Sequence, residues 1–158
     1  MPKQTSLIRK FSAALALALA ATGSSGATLD TLDLSSYKGK VVLVDFWASW
    51  CAPCKESFPW MRQVLKRYAD RGLVVVAINL DRDRSLADQF LDSQRPGFPI
   101  VFDPNAKLAE AFKVAGMPAS FYVDRHGKVR FTHIGFRSNE RDAAERELES
   151  LLSESQEQ

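Results

Sequence analysis

The chain has 158 residues, with 21 Lys+Arg against 19 Asp+Glu and a formal net charge of +2. Three of the basic residues, Lys3, Arg9 and Lys10, fall in the first 27 positions, so from residue 28 onward 18 basic residues face 19 acidic ones. With no polybasic run there, the composition excludes a nucleic-acid-binding footprint.

Lys3, Arg9 and Lys10 precede an uncharged apolar run at 11–21, and small residues follow as far as Ala27. That is the layout of a secretory signal peptide, with cleavage expected after Ala27. The apolar run is short of the roughly 20 residues that span a bilayer, which disfavours a retained membrane anchor. Removing 27 of the 158 residues leaves 131, enough for one domain with a real core. The expected organisation is therefore a signal peptide at 1–27, one domain at 28–152 and a polar tail at 153–158.

The apolar run at 41–47 has the character of a central strand covered on both faces. From 53 to 71, Phe58, Met61, Val64, Leu65 and Tyr68 recur at helical spacing, with Pro59 inside the helix and Gly72 ending it. A second buried strand at 73–80 completes a parallel strand–helix–strand unit. A short helix is expected around Leu86–Leu91, a loop at 96–99, a short strand at 100–102 and another short helix at 105–112. Strands at 120–123 and 128–134 form a hairpin about Asp124-Arg125-His126-Gly127. Ala144, Leu148, Leu151 and Leu152 mark a final amphipathic helix.

Cys51 and Cys54 are the only cysteines, and they fall where the first strand gives way to the first helix. Two thiols three positions apart can close a disulfide there, and the free N–H groups and dipole of the helix start favour the thiolate of the first. Zinc is the first alternative, since His126 and His133 complete a Cys₂His₂ count. Zinc fingers, however, separate their ligand pairs by about a dozen residues rather than by a whole sheet. A purely structural staple is the second. A loop this small restrains the unfolded chain by only about 2 kcal/mol, against about 4.7 for a 100-residue loop. A peroxide-reducing site fails because Val44 and Ala48 stand where such sites carry a proline and a Thr or Ser.

Asp45 interrupts the most apolar strand, on the same face as Leu43 and Trp47. Buried there, its carboxyl would be raised toward neutral pH and suited to exchanging protons with a neighbouring thiol. A strand-end carboxylate that reaches solvent is the plainer alternative. Met117-Pro118 lies directly before a strand without a turn partner, and a cis bond is expected. The aromatics Phe46, Trp47, Trp50, Phe58 and Trp60 are expected around the site.

The segment Val44-Asp45-Phe46-Trp47-Ala48-Ser49-Trp50-Cys51-Ala52-Pro53-Cys54-Lys55, followed by Pro59, resembles the active-site region of thioredoxins, and Gly116-Met117-Pro118 resembles their cis-proline loop. Tyr37-Lys38-Gly39-Lys40, Phe98-Pro99-Ile100-Val101-Phe102-Asp103-Pro104 and Phe121-Tyr122-Val123-Asp124-Arg125-His126-Gly127-Lys128 are similar to the secreted TlpA/ResA-like thiol–disulfide oxidoreductases. This resemblance covers about 34–152. It implies an α/β thioredoxin fold, a central mixed sheet flanked by helices. It also implies Cys51 as nucleophile, Cys54 as resolving thiol, and Pro118 beside both, with Trp50, Pro53, Met117 and Pro118 meeting the substrate.

No metal or cofactor is implied. The implied partners are protein disulfides and a membrane electron donor of the DsbD/CcdA type, for a periplasmic monomer. Three departures stand out: Ala77 where thioredoxin has a lysine near its buried aspartate, Ala119 for the usual Thr, and no Gly-Val-Tyr-Gly-Ala-Pro-Glu segment.

Ala52-Pro53 adds no donor or positive charge, and an ionised Asp45 would add a negative one. Both favour a reductant, with a potential nearer thioredoxin's roughly −270 mV than the −120 mV of DsbA. The competing expectation is a non-catalytic thioredoxin-fold binding module or redox-switched chaperone.

Overall fold

Val41–Trp47 form β1, and all seven residues are buried. A strand apolar on both faces is stable only in the middle of a sheet with cover on each side, and β1 occupies that place. The computed structural model describes residues 32–154. The expected signal peptide at 1–27 and residues 155–158 of the tail expected at 153–158 lie outside the described residues, and Ser153 is the last residue of the final helix.

The other elements are α1 (Ala52–Tyr68), β2 (Leu73–Asn79), α2 (Arg84–Gln94), β3 (Ile100–Phe102), α3 (Lys107–Ala111), β4 (Ala119–Val123), β5 (Val129–Ile134) and α4 (Arg141–Ser153). The five strands lie in the order β3-β2-β1-β4-β5. β2 pairs parallel with β1 and with β3, whereas β4 runs antiparallel to β1 and to β5. This is the mixed sheet flanked by helices that the resemblance implies.

Helix α1 runs without a break through Pro59. It passes into a 3-10 turn at Ala69–Arg71 and stops at Gly72, whose left-handed backbone (φ 94°) suits a residue without Cβ. Helix α3 is shorter than the 105–112 expected, because Ala106 adopts a left-handed conformation at its start. It buries Ala109 and leaves Leu108 and Ala111 partly exposed, while Phe112 just beyond it is buried.

Alternation along the strands splits the interior into two cores. Leu43, Trp47 and Val75 pack with Phe58, Met61 and Val64 of α1, Phe90 of α2 and Leu148 and Leu151 of α4. Val42, Val44, Phe46, Val76, Ile78 and Phe121 pack on the other face with Ala109 of α3, Phe112 and Leu32.

Candidate redox site

The chain leaves β1 at Trp47, crosses three residues and enters α1 with Cys51 as its N-cap. The Cys51 sulfur accepts a hydrogen bond from the Cys54 backbone N–H at 3.3 Å. The two sulfurs are joined in a disulfide, with 5.3 Å between the Cα atoms. Cys51 is 5% exposed and Cys54 fully buried, so the pair is unequal in access. On reduction, the Cys51 sulfur stands at the positive end of α1, where a thiolate is favoured.

The three-residue crossing is braced from the next strand. Asp81 Oδ2 accepts from the Ser49 N–H at 2.9 Å and from Asn79 Nδ2 at 2.7 Å, and Asp81 Oδ1 accepts from the Ser49 hydroxyl at 2.9 Å. Asn79 and Asp81 are buried. Sequence reasoning passed over all three residues. The available signal was a polar pair directly after the apolar run of β2.

Trp50, Cys51 and Pro53 face Val114, Ala115 and Met117 across an open cleft of about 610 Å³. Leu80, Ala106 and Ala109 add to its walls, and no lining side chain is charged. Trp50 is 68% exposed at its rim. The Met117–Pro118 peptide is cis. Pro118 is buried, and its carbonyl accepts from the Gly135 N–H at 2.7 Å.

The other aromatics separate. Phe46 belongs to the opposite core with Phe112 and Phe121. Trp47 and Phe58 are enclosed with Phe90. Trp60 is buried against Phe136. Among the expected aromatics, Trp50 is the exposed one, because period-two alternation sends Phe46 to the far face of the sheet.

Asp45 is 1% exposed, so the solvent-reaching alternative is set aside. It projects on the α1 side of the sheet, between Leu43 and Trp47, whose core cluster also holds both cysteines. Its cross-strand neighbours are Ala77 on β2 and Ser120 on β4. The Ser120 hydroxyl donates to Asp45 Oδ1 at 2.6 Å, while Oδ2 is buried without a partner. Burial pushes the Asp45 carboxyl up to about 7, opposed by the Ser120 hydrogen bond, which favours the ionised form. Ala77 supplies no compensating cation. Ser120 was not foreseen from the sequence.

His126 lies in the β4–β5 turn and His133 within β5, as the expected strand at 128–134 has it, with its Nε2 2.5 Å from Glu147 Oε2. No group of three or more His, Cys, Asp or Glu suited to a metal ion occurs among the described residues.

The family model described as Redoxin matches residues 10–152. The thiol-disulfide oxidoreductase ResA of Geobacillus kaustophilus is 32% identical over 118 residues, covering 75% of this chain and 67% of that protein. ResA of Oceanobacillus iheyensis is 34% identical over 99 residues, 63% of this chain, so the match spans about half (52%) of that relative's length. Among solved structures, a protein proposed to be the thiol:disulfide interchange protein DsbE of Chlorobium tepidum superposes with a TM-score of 0.75 at 44% identity. That match covers 76% of this chain and 85% of the other.

Proposed function

The chain belongs to the Redoxin family, as a ResA-like member with a thioredoxin fold, and from that premise we propose that it is a thiol–disulfide oxidoreductase that reduces protein disulfides outside the cytoplasm. The observation that carries the proposal is the unequal Cys51–Cys54 pair at the start of α1, opening onto an uncharged cleft. In the reduced protein the Cys51 thiolate attacks a substrate disulfide, forming a mixed disulfide and expelling one substrate sulfur as a thiolate. Cys54 then loses its proton and bonds to Cys51, and the second substrate sulfur leaves with the electron pair. Asp45, on the face of the sheet that packs against α1, is the acceptor of the Cys54 proton. Trp50, Pro53 and Met117 form the apolar surface that receives the substrate chain, and Pro118 shapes the loop that carries Met117. An uncharged cleft suits small or apolar residues around the substrate cysteine.

Residues 1–27 support export to the periplasm, and no helix among the described residues is long and apolar enough to cross a membrane. The reductant, acting as a monomer, is recharged by a membrane donor of the DsbD/CcdA type. Dithiothreitol-driven reduction of insulin tests the activity. Turnover is expected, lost in Cys51→Ser, and Cys54→Ser is expected to accumulate mixed disulfides whose masses identify the substrates. Complex formation without turnover would instead make the chain a redox-switched binding module.

A further inference from the structure

Asp45, Ser120 and His133 stand side by side on three adjacent strands. Asp45 is in register with Ser120, and Ser120 with His133. Residues in register project to the same face of a sheet, so these three make a polar row across the α1 side, from the central strand to an edge strand. The row runs one way only, because the partner of Asp45 on β2 is Ala77.

Its inner link is the 2.6 Å hydrogen bond from the Ser120 hydroxyl to Asp45. Its outer link is the 2.5 Å contact of His133 Nε2 with Glu147 on α4. Between the two lies a cavity of about 50 Å³, walled in part by Ser120, Tyr122, His133 and Trp60. A site with that room and those polar walls is large enough for a water molecule. The charged and titratable groups around it are Tyr122 on β4, Glu147 and Arg141 on α4, and Arg137 and Glu140 in the segment after β5.

We infer that this row carries to solvent the proton that Asp45 takes from Cys54. The inference rests on the reading of Asp45 as the proton acceptor. As the Cys54 sulfur bonds to Cys51 and the substrate sulfur departs with its electron pair, the Cys54 proton moves to the Asp45 carboxylate. Once Asp45 is protonated, the Ser120 hydroxyl turns from Asp45 toward the cavity, its oxygen accepts the Asp45 proton, and its own proton leaves into the cavity. His133, which lines the cavity and meets Glu147 at the surface, accepts that proton and releases it outside. One proton leaves per disulfide closed, and no further reactant is consumed. Ser120 and His133 are positioning residues, acting through Asp45 without touching substrate.

The test is single-turnover reduction of a peptide disulfide by the reduced full chain, from pH 6 to 9, for the parent, Asp45→Asn, Ser120→Ala, Ser120→Thr and His133→Ala. Ser120→Ala and His133→Ala are each expected to slow closure of the Cys51–Cys54 bond roughly tenfold near pH 7. The deficit should vanish toward pH 9, where hydroxide takes the proton directly. The reduction potential of His133→Ala should stay unchanged, since a relay alters rates and not end states. Added imidazole should restore His133→Ala, and Ser120→Thr should keep the parent rate because it retains the hydroxyl. If Asp45→Asn is slow while Ser120→Ala and His133→Ala match the parent, the relay is overturned and Asp45 keeps its role. If Asp45→Asn matches the parent, the underlying reading fails and the relay falls with it. A slowing of His133→Ala that is independent of pH and untouched by imidazole also overturns the relay, leaving His133 as a tie between β5 and α4.

Discussion

The two faces of the sheet are made by the same strands and yet differ in kind. On the α3 side, Val42, Val44, Phe46, Val76, Ile78, Phe121 and Val123 form a core to which the described strands add no buried polar side chain. On the α1 side, a row containing Asp45, Ser120 and His133 crosses an otherwise comparable packing of Leu43, Trp47, Val75 and Tyr122. Burial on the α3 side stabilises the protein in proportion to the apolar area it hides. Part of the same gain on the α1 side is offset by the cost of holding a carboxyl away from water. The proposed chemistry sits on the face that gives up stability, a few residues from one that does not.

The sharpest way to break the contrast is to damage the apolar face. Phe46 is fully buried and touches the rings of Phe112 and Phe121. Phe46→Ala is expected to cost about 3–5 kcal/mol in urea unfolding, with the disulfide-exchange rate of the folded fraction unchanged. A marked loss of exchange rate at full folding would show that the two faces are not separable.

The second effect is opposite in sign. The Asp45 carboxyl rises from 3.8 to about 7 in the folded protein, so the native state holds a proton that the unfolded chain releases. Its contribution to stability is fully present below about pH 4 and is lost as the pH rises to about 7. Asp45→Ala is therefore expected to be more stable than the parent at pH 8, by about 2–4 kcal/mol, with the advantage gone at pH 4. Urea midpoints at pH 4, 6 and 8 test this, and parallel pH profiles for parent and variant would refute it.

Smallest in stability is Trp50→Ala, since that side chain is exposed. Unfolding should shift by no more than about 0.5 kcal/mol, while KM for a peptide disulfide rises several-fold with kcat little changed. An unaltered KM would remove Trp50 from the substrate surface.

The β1–α1–β2 unit was legible because its signals are local: a seven-residue apolar run, a helical period and a terminating glycine. The cysteine pair was legible for the same reason. Ser120 was not, because its meaning depends on which residue of β1 it stands beside, 75 positions away, and one-dimensional spacing does not carry that register. His133 falls within the strand expected at 128–134, but only the hairpin's register decides that it faces Ser120 and α4. Phe46 is a different case. Strand alternation alone opposes it to Trp47, and proximity in sequence outweighed that rule in the expectation.

The brace from Asp81 to Ser49 ties two segments that look independent along the chain. The approach to Cys51 is suspended from the end of β2, and its position depends on the length of that neighbour as well as its own. An insertion between Asn79 and Asp81 would displace a carboxylate that meets both a backbone amide and a hydroxyl of the crossing. Sequence drift in the two segments is thereby coupled. A change tolerated at 80–81 is one that leaves Ser49 where it is, whereas the exposed Gly97, where an added Cβ meets nothing within 4 Å, carries no such coupling to the sulfurs.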